Sequence, residues 1–256
     1  MKLFVCSDLH SYFTPFKKAL DEKGFEPDNK DHLLIVCGDV FDRGEESFEM
    51  LKYLRSLTNV VLIKGNHEDL LEEVWYRGFY LGHDYSNGTV KTITDIFAKH
   101  SDLEPYEPIE VSEKVLKPFF DKMINYFETK NYIFVHGWIP CEEQAGNRKY
   151  IYRSNWRDST EVEWASARWL NGIDCGYGDG LIEPGKTIVC GHWHCSYGHA
   201  LRAFRESNGE YCGKAFGSEA KWEPFEEDGI IAIDRCTAHT GEVNVIVLED
   251  ELLEAV

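Results

Sequence analysis

Leu33-Leu34-Ile35-Val36-Cys37-Gly38-Asp39-Val40-Phe41-Asp42-Arg43-Gly44 is the stretch that decides the fold. Five apolar residues in a row read as a strand buried on both faces. The run stops at a glycine and gives way to carboxylates and an arginine, groups that belong at a strand end facing a ligand. The same grammar recurs along the chain. Lys2–Cys6 and Val60–Ile63 are apolar runs ending in Asp8-Leu9-His10 and Gly65-Asn66-His67-Glu68. Tyr132–Val135 and Thr187–Cys190 end in His136-Gly137 and Gly191-His192-Trp193-His194. Between the runs lie helical patterns. Thr14-Pro15 reads as an N-cap and first helical position of a helix to about Lys23, stopped by Gly24. Glu45–Leu57, Glu68 to about Tyr76, and Glu161–Leu170 read as further helices. Residues 77–130 read as a helical insert over the strand ends, with helices at about Thr89–Lys99 and Ser112–Phe127 around an acidic stretch at 101–110. Ile230–Asp234 and Val243–Leu248 read as a strand pair joined through Thr240-Gly241. Strands alternating with helices give an α/β class, with ligands expected at the C-terminal edge of the strands. No linker or repeat interrupts the pattern, so residues 1–256 are expected to form one domain.

The composition sets bounds on partners. There are 27 basic and 45 acidic residues among 256, a formal charge of −18, and 43% of residues are hydrophobic. This is a globular composition that disfavours nucleic acid and anionic membranes. It leaves an anionic substrate open, because a bound cation reverses the local field. Cys6-Ser7-Asp8 follows Met1 too closely for a secretory leader, and no apolar run is long enough to span a membrane. The eight cysteines, at 6, 37, 141, 175, 190, 195, 212 and 236, contain no Cys-x-x-Cys element. They are expected to be reduced thiols in a cytoplasmic protein, with Cys6, Cys37 and Cys190 as core residues.

Singly the polar clusters are weak signals, since a lone strand-end histidine is usually just hydrogen-bonded. Together they place carboxylate, amide and imidazole groups after five buried strands. Such clustering is costly unless cations compensate it. Mixed O/N donors without thiolate favour Mn, Fe or Zn over Ca. One carboxylate must bridge to hold two cations roughly 3.5–4 Å apart. Asp39, between the Asp8/His10 pair and Asn66, is the best placed.

Asp-x-His, Gly-Asp-x-x-Asp-Arg-Gly, Gly-Asn-His-Glu, His-Gly and Gly-His-x-His together resemble the calcineurin-like metallophosphoesterases. The full second and third motifs resemble the phosphoprotein phosphatase type, including bacterial and lambda-phage-like members. The resemblance runs from Asp8 to His194, with a family-like strand pair to Leu248. It implies a central β-sandwich of mixed sheets flanked by helices. It also implies two divalent ions, Mn first, with Fe, Zn and Ni as alternatives. Asp8 and His10 would hold the first ion, Asp39 would bridge, and Asn66, His136 and His192 would hold the second. His67 would be the general acid, oriented by Asp42. Arg43 would hold the substrate phosphate, with Asn66 beside it. A second phosphate-binding arginine is implied upstream of the last motif. Arg168 has the spacing, and Arg153 and Arg157 compete with it. Two departures stand out. His136-Gly137 is followed by Trp138, placing a large ring near the metals. His194 is typical of the wider superfamily, where it ligates the first ion. Alternation along an extended segment would put His192 and His194 on one side.

The mechanism implied is direct attack on phosphorus by a hydroxide bridging the two ions, with His67 protonating the departing oxygen. No covalent phosphoenzyme is needed, so Cys195 has no expected role. The leading expectation is a phosphatase for phosphoserine and phosphothreonine in proteins. The alternative is a hydrolase of dinucleoside polyphosphates or another small phosphate ester or diester. A non-catalytic scaffold is the third reading. His32, His83, His100, His199 and His239 are expected in solvated loops and turns.

Overall fold

Successive side chains of a strand point to opposite faces, and in this chain both faces are buried. In β1 (Lys2–Cys6), Leu3 and Val5 face one core while Phe4 and Cys6 face another. In β2 (His32–Cys37), Ile35 and Cys37 share the first core, and Leu34 and Val36 share the second. Each such fully buried aliphatic side chain stabilises the fold by about 1.5–3 kcal/mol. β2 covers the apolar run Leu33–Cys37, and burial on both faces is the reason that run is unbroken.

The computed structural model describes residues 1–100, 106–144, 149–210 and 213–253. One sheet has four strands, in the order β11 (Ile246–Glu249), β1, β2 and β3 (Val60–Ile63), with β1, β2 and β3 parallel and β11 antiparallel to β1. The other has five, in the order β4 (Phe127–Glu128), β5 (Tyr132–Phe134), β8 (Thr187–Cys190), β10 (Ile230–Ala232) and β9 (Phe225–Glu227). Its three central strands are parallel and its two edge strands antiparallel. A small ribbon, β6 (Glu142–Gln144) with β7 (Lys149–Ile151), lies apart in the pairing. Leu3, Val5, Ile35 and Ile63 of the first sheet pack with Phe134, Val189 and Ile231 of the second, which makes the sandwich. The outer face of the first sheet is covered by α1 (Phe13–Glu22), α2 (Ser47–Ser56), α3 (Asn66–Arg77), α5 (Thr89–Ala98) and α6 (Pro108–Phe120). The outer face of the second is covered by a core rich in tryptophan, with Trp138, Trp156 and Trp164, and by α7 (Glu161–Ala167) and α8 (Cys195–Glu206). The fold is the α/β sandwich of mixed sheets flanked by helices that the motif resemblance implied.

Several local expectations change. Ile230–Asp234 and Val243–Leu248 do not pair: β10 joins the second sheet and β11 the first. Thr240-Gly241 ends a short helix, α9 (Thr237–Thr240), and is not a hairpin turn. Thr14 does not cap α1, which starts at Phe13; its N–H donates to Glu46. Between α3 and β4 the chain forms α4 (Gly82–Asn87), α5 and α6; α6 starts at Pro108 and ends at Phe120, short of the expected Phe127. Part of the acidic stretch, 101–105, lies outside the described residues. His32 is buried within β2 against Phe4 and Phe25, and His83, His199 and His239 lie in α4, α8 and α9, so none of the four is a loop residue. Seven cysteines are free thiols, with Cys6, Cys37 and Cys190 fully buried; Cys212 lies outside the described residues. No helix among the described residues is long and apolar enough to cross a membrane.

Candidate metal centre

The parallel strands of both sheets end at a common edge. Asp8 and His10 follow β1, Asp39, Asp42 and Arg43 follow β2, and Asn66 and His67 open α3 after β3. His136 follows β5 and His192 follows β8. The two sheets meet here directly. His136 Nε2 lies 3.3 Å from Asp39 Oδ1, and the His192 N–H donates to Asp8 Oδ2 at 2.9 Å.

Asp39 is the hub. Two groups of three donors converge on it, His10–Asp39–His67 and Asp39–His136–His192, with ligand atoms within 4.8 Å of one another in each. His10 Nε2 and His67 Nε2 lie 3.8 and 3.9 Å from Asp39 Oδ2. Asn66 Oδ1 is 2.8 Å from His136 Nε2. The imidazoles are aimed by the backbone: His10 Nδ1 donates to the Phe41 carbonyl at 3.1 Å and His136 Nδ1 to the Cys37 carbonyl at 2.8 Å. Fixing the proton on Nδ1 leaves Nε2 as the donor atom toward Asp39.

The electrostatics match this reading. Asp8 and Asp39 are 2% exposed and Asp42 is fully buried. Burial, with Asp234 and Asp39 nearby, pushes the Asp8 carboxyl well above the ordinary carboxylate range. Burial also raises the Asp39 carboxyl, but His136, His67, His10 and His192 outweigh it and hold its pKa low. Burial lowers His10, His136 and His192, which keeps them neutral and able to ligate. Neutral imidazoles, an amide oxygen and buried carboxylates gathered around Asp39 are a donor set that could hold divalent metal.

His67 differs from the other histidines. Burial works against its protonation, but Asp39 and Asp42 outweigh that and raise its pKa. Its Nδ1 donates to Asp42 Oδ2 at 2.9 Å, leaving Nε2 toward Asp39 and 3.3 Å from Arg43 Nη2. Asp42 is held in turn by the Thr89 and Thr92 hydroxyls of α5, at 2.8 and 3.1 Å. Gly88, just before α5, lies so close to Arg43 that a Cβ there would meet the Arg43 nitrogen at 2.1 Å. Thr89 and Thr92 carried no signal in the sequence, since two threonines in a helical pattern look like surface.

Glu68 was legible only as a motif letter. It is fully buried and accepts three backbone N–H groups, from Gly65 at 2.8 Å and from Asp39 and Val40 at 3.0 Å each. It thereby ties the loop after β2 to the start of α3. Gly65 permits this approach, because a Cβ there would lie 2.2 Å from Asp39 Oδ1. We expect Glu68→Ala to destabilise the metal-free protein by about 3 kcal/mol, at about 1 kcal/mol or more per orphaned donor. Urea unfolding followed by circular dichroism measures it, and an unchanged midpoint would rule out this tie.

The backbone is strained where the side chains converge. Of nine non-glycine residues with positive φ among the described residues, seven belong to the loops after β1, β2 and β8: Asp8, His10, Ser11, Asp39, Asp42, Arg43 and His192. Each left-handed residue costs about 1 kcal/mol or more, and such outliers gather at functional sites.

Three expectations are met by a different arrangement. Arg168 is 2% exposed and does not line the cavity. Its guanidinium is held by Asp69 at 2.7 Å, by Asn125 at 2.6 Å and by Glu161. Arg153 pairs with Glu163 and Arg157 with Glu128 and Glu183, so Arg43 is the arginine that lines the cavity among the described residues. His194 lines the cavity but stands outside both donor groups, with Nδ1 2.7 Å from Ser196 Oγ. His192 and His194 do not alternate as in a strand, because His192 is left-handed, φ 63°, and His194 is the N-cap of α8. Trp138 turns into the core, where its Nε1 donates to the Leu181 carbonyl at 3.1 Å, away from the cavity.

Asp234, just past β10, was missed. It lines the cavity and is buried; desolvation raises its pKa to about 7. Its signal was available: it ends an apolar run, as Asp39 nearly does.

The cavity encloses about 430 Å³ and is walled by Leu70, Asn87, Trp169, Trp193 and Phe216 beside the polar groups. A family model for calcineurin-like phosphoesterases matches residues 1–242. A symmetrical bis(5'-nucleosyl)-tetraphosphatase of Marinomonas sp. (strain MWYL1) is 24% identical, covering 75% of this chain and 83% of that relative. A protein of the same name from Pseudomonas fluorescens (strain SBW25) is 30% identical over 141 residues, 55% of this chain but only 44% of that relative's length. Among solved structures, the cold-active protein-tyrosine phosphatase of a psychrophilic Shewanella species superposes with a TM-score of 0.53 at 14% identity, over 97% of this chain and 75% of that one. That likeness concerns fold. With the family model spanning nearly every element that feeds the Asp39 site, the chain belongs to the calcineurin-like phosphoesterases and is a metallophosphoesterase hydrolase.

Proposed function

We propose that this protein hydrolyses dinucleoside polyphosphates with two divalent cations, Mn first among them. The observation that carries the hydrolytic reading is the convergence of two donor groups on Asp39, one of which includes His67, whose pKa Asp39 and Asp42 raise. His10 and Asp8 would hold one ion, and Asn66, His136 and His192 the other, with Asp39 common to both. When bound, such a pair supplies Lewis-acid charge and an activated water. Arg43 binds and orients the phosphate, and the N-terminus of α3 adds its partial positive charge. His67 carries a proton at Nε2 toward the departing oxygen while Asp42 fixes its ring. Water adds to phosphorus, one P–O bond breaks, and the leaving phosphate takes the proton.

The substrate class draws support from the names of the relatives and from the aromatic walls of the cavity. Phosphoserine and phosphothreonine proteins remain the second reading, favoured by the complete Gly38–Gly44 and Gly65–Glu68 motifs. A Mn-loaded panel of diadenosine tetraphosphate, a phosphoserine peptide, p-nitrophenyl phosphate and bis-p-nitrophenyl phosphate separates them. We expect kcat/KM for the dinucleotide to exceed that for the peptide by about 10-fold or more, with ADP as product. A preference for the peptide would reverse the assignment.

A further inference from the structure

Three aromatic rings stand at the cavity and take no part in holding the ions or the proton. Trp169, Trp193 and Phe216 are 53%, 37% and 52% exposed, yet line the same space as Arg43 and Asn66. Three other tryptophans, Trp138, Trp156 and Trp164, are at most 2% exposed, and Trp75 and Trp222 are half-buried. Rings of this size left half in water beside an anion site need a reason.

Two of these rings are held in place by the site itself. The Trp169 and His192 rings meet edge to face, with centroids 5.9 Å apart and planes at 84°. Arg168, next in the chain, is locked by Asp69, Asn125 and Glu161, which fixes the end of α7 from which Trp169 projects. Trp193 directly follows His192; its plane lies within 15° of the His194 ring and 80° from that of Tyr197. Both indoles are therefore positioned relative to His192 before any ligand arrives. Trp169 also borders a second cavity of about 510 Å³, lined by Tyr150, Leu170 and Arg205, so the surface continues beyond the phosphate site.

We infer that Trp169 and Trp193 are stacking platforms for the bases of a nucleotide whose phosphates lie at Arg43 and Asn66. The inference rests on the reading that the substrate carries nucleosides, and it names the residues that recognise them. Base–indole stacking uses the π-face common to all bases, so adenine and guanine are accepted alike.

Calorimetry with AMP and with ribose 5-phosphate, which shares the phosphate but lacks the base, tests it on the Mn-loaded protein. In the wild type AMP binds more tightly by about 5- to 150-fold, the range of one stacked base. In the Trp169→Ala/Trp193→Ala double variant the advantage falls to within about 2-fold while ribose 5-phosphate is unaffected, and Trp169→Phe/Trp193→Phe restores most of it. In turnover, KM for diadenosine tetraphosphate rises in the double alanine variant, while kcat/KM for inorganic tripolyphosphate does not change. An AMP advantage that survives the loss of both rings, or none in the wild type, overturns the inference. Absence of dinucleotide turnover alongside a ring-dependent AMP advantage would instead refute the substrate assignment and leave the stacking site standing.

Discussion

His67→Asn is expected to lower kcat on a phosphoserine peptide by roughly 10²–10⁴-fold while barely slowing p-nitrophenyl phosphate. The reason is the leaving group. A serine alkoxide is a strong base and cannot depart without a proton; nitrophenolate is stable and can. His67 is the histidine at this edge whose surroundings raise its pKa, through Asp39 and Asp42 against the effect of burial. Its Nδ1 is committed to Asp42, so only Nε2 can deliver a proton. The polyphosphate chain belongs with the good leaving groups, because a departing phosphate is itself weakly basic. Diadenosine tetraphosphate should therefore resemble p-nitrophenyl phosphate in its tolerance of His67→Asn. Equal losses on peptide and nitrophenyl substrates would contradict the assignment of proton donor.

Asp39→Asn is expected to lower kcat on every substrate by at least about 10³-fold, because the carboxylate we propose two cations would share is replaced by a neutral amide. The change removes no volume, and the fold should survive it. Both donor groups lose the carboxylate they have in common. The Asn side chain can still accept the His67 N–H that Asp39 Oδ1 accepts at 3.0 Å, so α3 stays in place. Turnover with saturating Mn, together with circular dichroism of the variant, separates a lost reaction from a lost fold. A variant that keeps full metal-dependent turnover would remove the basis for a bridged pair.

The parts of this molecule that the chain declares openly are those where burial is two-faced and the polar cluster is adjacent. Leu33–Cys37 announces a strand because no face of β2 meets water, and Gly38-Asp39 follows it at once. His10, Asp39, Asn66, His67, His136 and His192 were legible for the same reason, and the structure brings them to one edge. What was not legible depends on distant partners. Ile230–Ala232 and Ile246–Glu249 look like a hairpin because they are close in sequence, yet β8 and β1 are the strands beside them. The Thr89 and Thr92 support of Asp42 spans 47 and 50 residues and leaves no local pattern. Trp138 and Trp193 are both tryptophans beside a strand-end histidine, but one faces the core and the other the cavity. Arg168 had the spacing of a phosphate clamp, but three acceptors that hold it come from α3, α7 and the turn before β4, which spacing does not reveal.

An anomalous-difference map at the manganese edge, from crystals grown with Mn, reads the bridged centre directly. Two peaks flanking the Asp39 carboxylate, one beside His10 and Asp8 and the other beside Asn66, His136 and His192, are the predicted result. A single peak, or two that do not share Asp39, would contradict it.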